Sequence, residues 1–138
     1  MISPTLDSVR IFLHLMAVAV WVGGQIVLAG LVPAIRASAP DALPKVAQAF
    51  ARVAWPAMIV IVFTGAWGLA SVDAAESGTK YLTTFALKML MVFIAVVATV
   101  IHSHGSSKAA KAIGGALGLL GSLLAAYGGV LLAHAHVG

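Results

Sequence analysis

The chain has 138 residues, 62% of them hydrophobic and only 9% charged, whereas a soluble domain carries about a quarter charged residues. That composition excludes an ordinary water-soluble domain and predicts one small all-α integral membrane domain over 1–138. Eight Lys/Arg against four Asp/Glu, with no basic patch interleaved with aromatics, reads as a topology signal beside anionic lipid and not as a nucleic-acid surface. Zero cysteines exclude disulfides, thiolate metal sites and cysteine nucleophiles.

Residues 1–9 are a polar lead in which Pro4 and Asp7 suit a helix start. The apolar run that follows is too long for the core of a cleaved signal and has no small-x-small site behind it. The first span is expected at about 9–32, reading RIFLHLMAVAVWVGGQIVLAGLV from Arg10 to Val32, long enough to cross a bilayer as one helix. Positions seven and eleven apart fall within roughly 20° of each other on a helix. His14, Trp21 and Gln25 therefore form one stripe, with Arg10 close to it. Pro33 and the segment 34–40 are expected to end this helix.

The second helix is expected to start near Asp41 as N-cap, with Pro44 in its first turn. Its opening part, 44–52, is amphipathic through Lys45, Gln48 and Arg52 and is expected at the membrane surface. The spanning part is about 53–70. Pro56 should bend it, and Trp55 and Trp67 stand near its two ends as aromatic belts do. Residues 71–80 read as a polar loop, 81–102 as the third span, 103–111 as a second loop and 112–133 as the fourth span, with a tail from His134 to Gly138. The architecture expected is an antiparallel four-helix membrane bundle. Arg36, Lys45, Arg52, Lys108 and Lys111 lie on one side of it and Arg10 and Lys80 on the other, with Asp7, Asp73 and Glu76. The positive-inside rule then puts both termini outside the cytoplasm, in a bacterial inner membrane.

Ionisable groups inside spans mark function more often than loop charges do. Lys88 lies about two turns into the third span, on a stripe with Tyr81, Thr84, Ala95, Thr99 and His102 that is expected to face the bundle interior. Alternating helix direction brings His14, Lys88, His134 and His136 to the same outer half, with Tyr127 on the face of His134. A neutral imidazole and a deprotonated amine are both nitrogen donors for haem iron or copper. His14, Lys88, His134 and His136 are thus the candidate metal ligands, and His14, Lys88, Trp21 and Tyr127 the candidate cofactor-lining residues. His102 and His104 read as a solvated loop at the opposite end, and Met16, Met58, Met89 and Met91 as packing. The fourth span carries a glycine-rich face, Gly114 to Gly129, which suits close helix packing, a slot for a flat ring, or a homodimer contact. These residues alone leave copper, haem b and no cofactor open, and with them the question of catalysis.

Three segments together resemble a known family: HLMAVAVWVGG at His14–Gly24, FARVAWPAMIVIVFTGAWGLA at Phe50–Ala70, and LKMLMVFIAVVATVIHSH at Leu87–His104. They resemble the CopD-type copper-resistance membrane domain and the related HemJ-type protoporphyrinogen oxidases. The CopD resemblance implies copper handling at the membrane. The HemJ resemblance implies haem b binding by the first-helix His and the third-helix Lys, roles that fall on His14 and Lys88, with porphyrinogen oxidation passing electrons to an acceptor such as quinone. Trp21–Gly24 reads closer to the CopD pattern, and IHSH at Ile101–His104 departs from the Tyr-His pair of the HemJ pattern.

Overall fold

The first helix is started by a capping box. Thr5 Oγ1 accepts from the Ser8 backbone N–H at 3.1 Å, and Ser8 Oγ accepts from the Thr5 N–H at 2.9 Å. The two side chains satisfy donors that a helix start leaves orphaned. The computed structural model describes residues 3–72 and 77–135. Among them the structure is all-α, with four helices long and apolar enough to cross a membrane and no strand. The chain forms two compact units, Met1–Val72 and Asp73–Gly138, each holding two of the four spans.

In the first unit, α1 (Leu6–Val18) runs into a π-helical turn (Ala19–Gly23) and on into α2 (Gly24–Ser38), giving one rod of 33 residues. At 1.5 Å per residue that is about 50 Å, well beyond a hydrocarbon core of about 30 Å. The expected break at Pro33 does not occur. Proline inside a helix removes one backbone hydrogen bond, and here the helix continues through it. What stops the rod is Ala39, at φ −151° and ψ 65°, because the residue before Pro40 is sterically pushed out of the helical region. A 3-10 turn (Pro40–Ala42) follows, then α3 (Leu43–Ala70). Asp41 lies inside that turn and caps nothing; Pro44 sits in the first turn of α3 as expected. The surface segment and the span read separately are one continuous helix through Pro56.

The two rods of this unit are antiparallel. Along α3, Phe50, Ala54, Ala57, Ile61, Thr64 and Gly68 recur at alternating intervals of four and three, the spacing of a coiled-coil seam, with Met58 buried beside them. Arg10, His14, Ala17 and Trp21 face them from the other rod. Gly24 lacks a side chain where the Phe50 ring enters, and a Cβ there would overlap it.

The second unit is a tighter hairpin. α4 (Gly78–His104) and α5 (Lys108–Ala135) are joined by only three residues, 105–107. The turn needs Gly105 for close approach, since a Cβ there would stand 2.5 Å from Ile101 O, and Ser107 Oγ receives the Ala110 N–H at 3.0 Å. The longer loop expected at 103–111 is therefore mostly helix. Gly114, Gly118, Gly121, Ala125, Gly128 and Leu132 repeat the four-three spacing and meet Lys88, Met91, Ala95, Ala98 and His102. A Cβ on Gly114 would lie 2.7 Å from both Ala98 O and His102 N, and one on Gly121 would lie 3.1 Å from Met91 O. Backbone packs directly on backbone, which is how helices associate where lipid supplies no hydrophobic drive. At these glycines the face read as a ring slot or homodimer contact is filled by α4. The outward side chains, Phe12, Ile59, Phe63, Phe93 and Val130 among them, are exposed, as lipid-facing groups are.

Candidate functional site

His14 comes third turn into α1, on the seam. Its Nδ1 lies 2.7 Å from Thr64 Oγ1 on α3. Thr64 is 1% exposed, and its hydroxyl also lies 2.5 Å from Val60 O of its own helix. A hydroxyl has one proton. Thr64 donates it to the Val60 carbonyl, so toward His14 it accepts, and Nδ1 is the N–H donor. In the neutral imidazole the lone pair is then on Nε2. A second-shell acceptor on one ring nitrogen that fixes the tautomer and aims the other is the arrangement of metal-binding histidines. Gly65 borders the ring, where a Cβ would stand 3.7 Å from His14 Cε1.

One turn toward the N-terminus, Arg10 pairs with Asp7 at 2.6 Å and lies against Gly68. One turn the other way past Ala17, Trp21 is buried in the π turn and packs edge-on against Trp55, with centroids 5.7 Å apart and planes at 65°. Trp55 thus belongs to the seam and not simply to an interfacial belt. Gln25 Nε2 donates to Trp21 O at 3.1 Å, a bond along its own rod. It supports the backbone where the π turn shifts the regular ladder.

Lys88 belongs to the second unit and is half-buried. Its stem lies on Gly128, where a Cβ would come within 3.2 Å of Lys88 Cβ, and its amine lies by Gly129, 3.5 Å from where a Cβ would be. The expected polar stripe of α4 does face α5: Lys88, Ala95, Thr99 and His102 all touch its glycines. Tyr127 points away from that seam and is 61% exposed. His134 is exposed in the last turn of α5, and His136 lies outside the described residues. His102 and His104 are helical, not in a loop, and exposed; their Nδ1 atoms donate to Lys111 O at 2.5 Å and Val100 O at 3.2 Å. Among the described residues no three His, Asp or Glu side chains are grouped. The residue that sequence reading missed is Thr64, whose only signal is a hydroxyl at a seam position between apolar residues.

No family model, no curated protein and no solved structure matches the chain.

Proposed function

We propose that this integral membrane protein handles a redox metal in the manner the CopD and HemJ resemblance implies, binding haem b through His14. The observation that carries the reading is the His14–Thr64 bond, 2.7 Å long inside a membrane span. Thr64 supports a tautomer whose Nε2 is the donor nitrogen. Haem brings four nitrogens of its own, so one oriented imidazole is enough to hold its iron from the protein side. Bound haem b supplies one-electron chemistry. The chain's own residue Thr64 orients the imidazole. Lys88 is a second nitrogen donor within a span, and its part is read from its own variant. The orientation proposed from charge, with both termini outside the cytoplasm, puts the His14 end of α1 on the outer side.

The visible spectrum of the purified protein tests the proposal. A Soret band that is lost in His14→Ala supports haem on that residue, and the same measurement on Lys88→Ala reports whether binding depends on that amine. No Soret band together with stoichiometric copper, lost in His14→Ala, replaces haem by copper at the same residue. Neither haem nor copper after expression with both supplied overturns the proposal.

A further inference from the structure

Resting on the haem reading above, we infer that Arg10 is the anion anchor of the same site and binds a propionate carboxylate of the tetrapyrrole. Arg10 precedes His14 by four residues and therefore lies one turn away on the same face of α1. Its side chain is only 17% exposed, against 60% for its ion-pair partner Asp7. Nε and Nη2 both donate to a single Asp7 oxygen, Oδ1, at 2.9 and 2.6 Å. Nη1 makes no hydrogen bond among the described residues. It lies over Gly68 of α3, where a Cβ would come within 2.5 Å of it.

Among the described residues, the two N–H donors of Nη1 thus have no acceptor while most of the guanidinium's surface is withdrawn from water. They sit where α3 presents no side chain, next to the helical turn that carries His14. A guanidinium fork matches a carboxylate and forms the stronger, charge-assisted kind of hydrogen bond. Haem b carries two carboxylates that need such partners near a membrane interior, because an unpaired charge there is costly. Asp7, exposed and joined through one oxygen, holds the guanidinium in place and leaves its remaining donors to the ligand. A phospholipid phosphate has the same anionic chemistry, so the test must separate the two sources.

The test titrates the full-length protein in nonionic detergent with haem b and, separately, with haem dimethyl ester, which lacks the carboxylates. Binding is followed at the Soret band. Arg10→Gln is expected to weaken haem b about tenfold, the size of one charge-assisted bond, and to leave the ester unchanged. Unchanged ester binding also reports that the variant is folded. Gly68→Ala, whose methyl displaces Nη1, is expected to act in the same direction. An Arg10→Gln variant that binds haem b and ester as the wild type does overturns the inference, as a lipid-binding arginine would give, and leaves the His14 reading standing. Equal weakening of both ligands also overturns it. A wild-type protein with no Soret band with either ligand overturns the haem reading itself.

Discussion

Thr64 is a small residue with two tasks. Its proton goes to Val60 O and its lone pair to His14 Nδ1. Thr64→Val keeps the volume and removes the acceptor, which leaves an imidazole N–H unpaired in the seam. Such a loss costs about 1–3 kcal/mol, so thermal unfolding followed by circular dichroism should show a lower midpoint. Thr64→Ser should restore it. If haem is bound, Thr64→Val should also shift its reduction potential, because the hydrogen bond to Nδ1 sets how strongly Nε2 donates. His14 was legible in the sequence as a polar residue on an apolar stripe. Thr64 was not, for it lies 50 residues away. Threonines in apolar helices commonly bond the carbonyl four residues back, as Thr83, Thr84 and Thr99 do, and nothing in the sequence separates Thr64 from these.

The helices owe their pairing to seams whose residues alternate by four and three, and the two seams use different means. In the first unit the seam holds side chains, with Trp21 against Trp55 and Phe50 against Gly24. In the second, glycines of α5 let its backbone meet the backbone and side chains of α4. This difference gives a paired prediction. Gly114→Ala puts a methyl 2.7 Å from Ala98 O and His102 N, backbone atoms that do not yield cheaply. Overpacking of this kind costs about 1–3 kcal/mol. Gly30→Ala meets nothing within 4 Å and should gain up to about 1 kcal/mol in helix propensity. Opposite shifts in the unfolding midpoint are therefore expected, and equal shifts would mean that the glycine seam is not what holds α4 to α5. The four spans themselves were plain from hydropathy. Their ends were less so, because Pro33 is tolerated within a long apolar helix while Ala39, an unremarkable residue, terminates it through its proline neighbour. The π turn had no signature at all, since α and π turns suit the same residues and only Gly23–Gly24 marks a local weakness.

For the chain as a whole, composition makes the membrane the solvent, and the remaining question is which way the helices cross it. An even number of spans returns the C-terminal end to the side of the N-terminal one. The positive residues Arg36, Lys45, Arg52, Lys108 and Lys111 then share a side, which the proposed orientation makes cytoplasmic. Because the chain has no cysteine, each introduced cysteine is the sole reactive thiol. Ser38→Cys, at the end of α2, and Ser106→Cys, in the α4–α5 turn, should react with a membrane-impermeant maleimide only from the cytoplasmic face, in inverted vesicles. Thr5→Cys should react only from the outer face, in right-side-out vesicles. The reverse pattern would turn the protein over. The outcome bears on the site, because His14 lies eight residues beyond Leu6, about 12 Å along the axis. In the proposed haem reading, that depth would let the haem group exchange electrons with partners at one membrane surface, and the labelling pattern says which surface that is.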